Sequence, residues 1–144
     1  MKIKQENKID FKKMLKNTGL KNTVPRLAVL KALSDVERPE TAQEIFKKIG
    51  KNKIDLVTLY RTIASFEEKQ LVKRIDLHKD SVYYELNLNH HHHIICTGCG
   101  EVEDFELCDM DRLTKKIVLG SSNFKSVREH TLELFGVCNA CVKN

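Results

Sequence analysis

Two C-x2-C pairs, Cys96/Cys99 and Cys138/Cys141, restrict what this chain can fold into more than any other feature. Each pair turns on small or polar residues, Thr97-Gly98 with Gly100 following in one and Asn139-Ala140 in the other. Four thiolates in two such knuckles suit tetrahedral zinc, with Zn–S bonds of about 2.3 Å. Cysteines that merely pack in a core need no matched spacing. Zn²⁺ has no redox chemistry, and four cysteines leave no open position for a substrate. The expected role is to hold a fold together. Cys108 is the odd cysteine of five. It sits in Glu106-Leu107-Cys108-Asp109, where neighbouring acids would raise a thiol, so it reads as a buried or idle thiol rather than a redox nucleophile.

The charge is uneven along the 144 residues. Residues 1–88 hold 19 Lys and Arg against 12 Asp and Glu, whereas residues 89–144 hold 6 against 8. A basic half followed by an acidic half predicts two domains, 1–88 and 89–144, of which only the first meets a polyanion. No apolar run approaches the roughly 18 residues of a membrane span, and the N-terminus lacks an apolar signal core. The chain therefore reads as soluble and cytoplasmic, a setting in which paired cysteines favour metal over disulfides.

The basic half opens with an amphipathic turn or two from Asp10, ending near Gly19. Thr23 and Pro25 start a helix with Leu27, Val29, Leu30 and Leu33 on its apolar side. Thr41-Ala42-Gln43-Glu44 has the form of a capping box, ahead of Ala42, Ile45, Phe46 and Ile49 on one face. Asp55 caps a further helix from Leu56 to about Gln70, with Leu56, Leu59, Tyr60, Ile63 and Phe66 at helical spacing. Strands from Leu71 and over Val82–Leu86 follow, joined by a turn at His78–Ser81. Helices followed by a ribbon make a winged helix-turn-helix with an extra helix in front, and the Asp55 helix is its recognition helix. Thr58, Tyr60, Arg61 and Thr62 are the expected groove contacts, and Lys51 and Lys53 suit phosphates.

The acidic half begins with His90-His91-His92-His93. Strand geometry sends His91 and His93 to one side and His90 and His92 to the other. Glu85 and Asp104 lie at suitable range for the first pair, and Asp111 and His130 for the second. A helix from Asp109 to about Val118 and a strand around Phe124–Leu134 complete a small α/β unit. Such a unit has little core of its own, so zinc and a partner subunit would both help it fold.

The series Pro25-Arg26, Asp55-Leu56-Val57-Thr58-Leu59-Tyr60-Arg61-Thr62, His90–His93, Cys96-x-x-Cys99-Gly100 and Cys138-x-x-Cys141 resembles the ferric-uptake-regulator family of metal-responsive repressors. The resemblance covers nearly the whole chain. It implies an α+β protein, in which an N-terminal winged helix-turn-helix is followed by a small α/β dimerisation domain with a four-cysteine zinc site. A homodimer would bind a palindromic operator in double-stranded DNA when a hinge metal is loaded. It further implies structural zinc on Cys96, Cys99, Cys138 and Cys141, a regulatory metal on Glu85, His91, His93 and Asp104, and a second metal on His90, His92, Asp111 and His130. The family often adds a histidine from the DNA-binding domain. Here Arg38-Pro39-Glu40 stands at that place, leaving Glu37, Glu40 or water to complete the shell.

Two imidazoles and two carboxylates accept Fe²⁺, Mn²⁺ or Zn²⁺. Iron-responsive regulation is the favoured reading. The histidine run also resembles the zinc-uptake branch, and Asp104, where iron sensors commonly have Glu, resembles the iron-based peroxide-sensing branch. A hydrolytic centre on the same ligands would need a substrate cleft, and the chain has neither a nucleophile elbow nor a phosphate loop. An enzyme is not expected, nor is a small-molecule substrate or a membrane partner. A purely structural zinc protein would leave the recognition helix and the basic half without a role.

Overall fold

Helix α1 (Phe11–Asn17) starts where the Asp10 carboxylate accepts the Lys13 N–H at 3.0 Å. The computed structural model describes residues 9–143, so the stretch read above as lacking a signal core lies outside the described residues. Thr23 precedes helix α2 (Val24–Ser34), but its hydroxyl makes no capping bond; Pro in the first turn sets the start instead. Strand β1 (Glu40–Thr41) leads into α3 (Ala42–Ile49) through the expected capping box. Glu44 N–H donates to the Thr41 hydroxyl at 3.2 Å, and Thr41 N–H donates to the Glu44 carboxylate at 2.8 Å. Gly50, with φ +89°, ends α3 where a side chain would be strained.

Helix α4 (Leu56–Glu68) buries Leu59, Ile63 and Phe66 against Leu15, Val29, Leu30, Ile45 and Ile54 in one continuous core. Strands β2 (Val72–Ile75) and β3 (Tyr83–Leu86) pair antiparallel, with β1 on the other edge of β3. Along Val72–Ile75 charged residues break the apolar/polar alternation of a strand, and the cause is local. Lys73 stands opposite Glu85 and bonds it at 2.9 Å. Arg74 stands opposite Tyr84, lies 6.0 Å from that ring and pairs with Glu67 of α4. Cross-strand partners thus satisfy charges that an apolar/polar period cannot register. With α2–α4 and the β2–β3 ribbon, this first unit is a winged helix-turn-helix carrying α1 in front.

The chain divides into two units between Leu88 and Asn89. In the second, β4 (His92–Cys96) is the central strand, antiparallel to β5 (Val102–Phe105) and parallel to β6 (Glu133–Gly136). Helix α5 (Met110–Leu119) and a one-turn α6 (Asn139–Val142) complete it. The strand expected around Phe124–Leu134 is corrected: only Glu133–Gly136 pairs, with His93–Cys96 of β4, because residues 122–129 are all exposed and bury no face against the sheet. Phe124 and Val127 are exposed. No residue of α5 is buried, and its apolar Leu113 and Ile117, four residues apart, face solvent.

Candidate metal centres and nucleic-acid interface

Cys96 ends β4, Cys99 sits in the turn that follows, Cys138 caps α6 and Cys141 lies within it. Backbone bonds shape both knuckles. Gly100 N–H donates to Cys96 O at 2.9 Å, and Cys141 N–H to Cys138 O at 3.0 Å. Thr97 ties the first knuckle to β6, since its N–H and hydroxyl both donate to Gly136 O, at 2.8 and 3.1 Å. A Cβ on Gly98 would lie 3.0 Å from Cys141 Sγ, which is why glycine stands there.

The four sulfurs lie within 4.8 Å of one another, with Cys99 and Cys138 3.6 Å apart. Tetrahedral bonds of about 2.3 Å give sulfur–sulfur edges of about 3.8 Å, so the cluster fits zinc. Backbone N–H groups, of Cys138 first and then Cys99, hold the Cys96 thiol down at about 6. Crowding by the Cys138, Cys96 and Cys99 sulfurs pushes Cys141 up to about 12. Protons alone cannot satisfy four such sulfurs equally. A divalent cation can.

The histidines alternate as strand geometry requires. The rings of His91 and His93 lie 5.0 Å apart, and those of His90 and His92 lie 4.6 Å apart. His93 is 1% exposed and stands directly opposite Asp104 across the β4–β5 ladder, with Nε2 3.6 Å from Oδ1. Asn89 O lies 2.9 Å from His91 Nδ1. A carbonyl only accepts, so Nδ1 carries the proton and Nε2 is the lone-pair nitrogen suited to a metal. Glu85 belongs to β3 of the first unit. Glu40, named above as a substitute ligand, is buried beneath Lys48 at 2.6 Å, which keeps its carboxylate within the first unit.

On the other side, His90 and His92 meet His130, with ring centroids 5.0 and 5.3 Å away. Asp111 is not the fourth member of this cluster; Cys108 is, with Sγ 3.5 Å from His130 Nε2. Asp111 falls in the first turn of α5 and is exposed. The sequence reads Cys108 as a buried or idle thiol and does not group it with these histidines. The available signal was that every other cysteine in the chain reads as a ligand.

On α4, Val57, Tyr60 and Arg61 are exposed on the side opposite the core. The Gln43 amide donates to the Tyr60 hydroxyl at 3.3 Å, bracing it from α3. Lys51 and Lys53 are exposed in the turn before the helix. Two of the expected contacts stand differently. Thr58 Oγ1 donates to Asp55 at 2.7 Å and belongs to the cap. Thr62 is buried beside Ile63, so the expectation that it reaches DNA is corrected: four helical residues include both faces, and Thr62 falls on the inner one.

The ferric uptake regulator family model matches residues 17–135. The ferric uptake regulation protein of Bordetella parapertussis is 36% identical over 134 residues, covering 90% of this chain and 94% of that protein. Its counterpart in Cupriavidus metallidurans is 34% identical over 128 residues, covering 86% and 88%. The crystal structure of the Vibrio cholerae ferric uptake regulator superposes with a TM-score of 0.70 at 33% identity, over 90% of this chain and all of that one. A winged helix, a four-thiolate cluster and a match across most of its length place the chain in the ferric uptake regulator family of metal-responsive transcriptional regulators.

Proposed function

We propose that this chain is a cytoplasmic, homodimeric repressor that binds a palindromic operator when a hinge site holds Fe²⁺, and that it is not an enzyme. The observation that carries this reading is the pairing of buried His93 with Asp104 across β4–β5, beside His91. These are nitrogen and oxygen donors, kept apart from the four sulfurs, and they suit a hexacoordinating divalent ion rather than closed zinc. Glu85, six residues before His91, completes the set. The cluster of Cys96, Cys99, Cys138 and Cys141 would hold zinc and stabilise the second unit. The names of the relatives, ferric uptake regulation protein, support iron. Asp104 in place of a longer carboxylate favours a second reading, in which iron held there makes the chain a peroxide sensor.

Glu85, His91, His93 and Asp104 would hold the cation and supply its nitrogen and oxygen ligands. The protein's own part is to place Tyr60 and Arg61 in a major groove, Lys51 and Lys53 on phosphates, and α5 against a second copy. Metal then raises operator affinity, and operator raises metal affinity by the same factor, a coupling of about 1–3 kcal/mol. The test is an anaerobic titration of Fe²⁺, Mn²⁺ and Zn²⁺ into protein with its four-thiolate site already zinc-filled, reading operator binding. His91→Ala and Asp104→Ala should keep the dimer and the tightly held zinc yet lose activation. Peroxide added to the iron form should leave binding intact for an iron sensor and abolish it for a peroxide sensor. Operator affinity that ignores the hinge metal would overturn the reading.

A further inference from the structure

We propose that Cys108 completes a second metal site with His90, His92 and His130, a set of three nitrogens and one sulfur selective for Zn²⁺. The ligands come from three separate segments: the entry to β4, the loop between β5 and α5, and the loop before β6. Their donor atoms nonetheless lie within 4.8 Å of one another. Tetrahedral zinc with a Zn–N bond of about 2.05 Å and a Zn–S bond of about 2.3 Å has an N···S edge of about 3.6 Å. Cys108 Sγ and His130 Nε2 stand 3.5 Å apart. His92 is buried and packs on Phe105, its opposite residue in β5, with ring centroids 5.4 Å apart, so the site has one rigid wall. Cys108, His130 and His90 close it from the more accessible side.

A thiol bonded to a stacked histidine could account for one of these contacts. It does not account for three imidazoles converging on the same sulfur, since like dipoles gain little from crowding without a shared cation. Replacing a carboxylate by a thiolate also changes what the site selects. Hard Mn²⁺ and Fe²⁺ lose their preferred oxygen, whereas Zn²⁺ gains a ligand it favours. The chain would then hold two exchangeable sites of opposite preference, with nitrogen and oxygen donors on one face of the β4 entry and nitrogen and sulfur donors on the other. This assignment stands whichever metal the hinge takes and whether or not the chain reads DNA.

The test uses the full chain with zinc already in the four-thiolate site, so that only Cys108 can give a new sulfur ligand. Anaerobic addition of Co²⁺ should produce a near-ultraviolet sulfur-to-cobalt charge-transfer band worth one thiolate per chain, erased by Zn²⁺ and not by excess Mn²⁺. Cys108→Ser should abolish the band and weaken zinc about tenfold or more, because losing even an outer-shell partner costs about 10–100-fold. Asp111→Ala should change neither. Cys108→Asp should keep cation binding without the band and with less discrimination against Mn²⁺. In the unaltered protein, Zn²⁺ should slow alkylation of Cys108, read by mass spectrometry, which tests the idea even if a variant fails to fold. No band in the unaltered protein, a band that survives Cys108→Ser, alkylation indifferent to zinc, or Asp111→Ala as damaging as Cys108→Ser would overturn it.

Discussion

Asp55 caps α4 with both carboxylate oxygens, accepting the Thr58 N–H at 2.9 Å and the Thr58 hydroxyl at 2.7 Å. Those bonds, the hydroxyl's first, hold its carboxyl below the usual range. A depressed folded value means the stabilisation is complete above the ordinary carboxylate range and is lost as pH falls through the folded value. Asp55→Asn, which caps without titrating, should leave helicity near neutrality unchanged and remove that step from an acid titration followed by circular dichroism. An identical acid profile in the variant would show that the cap contributes nothing. Residues of this kind are legible in a sequence because their chemistry is local: Asp55, the Thr41/Glu44 box and the cysteine pairs act on neighbours within a few positions. Thr62 was misplaced, and the histidine neighbours of Cys108 were not foreseen, because their surroundings are set from elsewhere. Residues 22 positions away decide what Cys108 meets, and the rotation of α4 on the core decides where Thr62 points.

At the scale of the element, α4 divides cleanly. Leu59, Thr62, Ile63 and Phe66 face inward, and Val57, Tyr60 and Arg61 face outward. Tyr60→Phe and Arg61→Ala should each cost about 1–3 kcal/mol if they read a base. If Arg61 holds a phosphate, binding should instead weaken on all sequences alike, with the salt slope reduced by roughly one. Thr62→Val, nearly isosteric and buried, should leave operator affinity unchanged. Affinity measured on operator and scrambled duplex across several salt concentrations separates these outcomes, and a loss in Thr62→Val equal to that in Arg61→Ala would mean the helix presents another face. Helical spacing makes α4 legible in the sequence itself. The residues from Phe124 onward misled because alternation there reflects charges on both sides of an exposed loop, and β1 escaped notice because two residues carry no period.

At the scale of the molecule, the proposed dimer predicts that a second copy covers α5, none of whose residues is buried among the described ones. Leu113 and Ile117 form an apolar stripe with no cover among the described residues. In a two-fold interface each substitution occurs twice. Losing Ile117 burial at about 1.5–3 kcal/mol per side chain would weaken the dimer by roughly 3–6 kcal/mol. Ile117→Glu should therefore sediment as a monomer while retaining its tightly held zinc, and a dimer of unchanged affinity would move the interface elsewhere.

Strand β4 joins these scales. Its last residue belongs to the four-cysteine cluster, and the histidines at and before its start are sorted by parity onto two faces. A slip of one residue against β5 would exchange the faces, delivering each imidazole pair to the other's carboxylate or thiol. Cys96 cannot slip, because its sulfur must meet three others. With zinc bound, the four-cysteine site would act as an indexing pin: by fixing where β4 stops, it would set which histidines stand on which face several residues away.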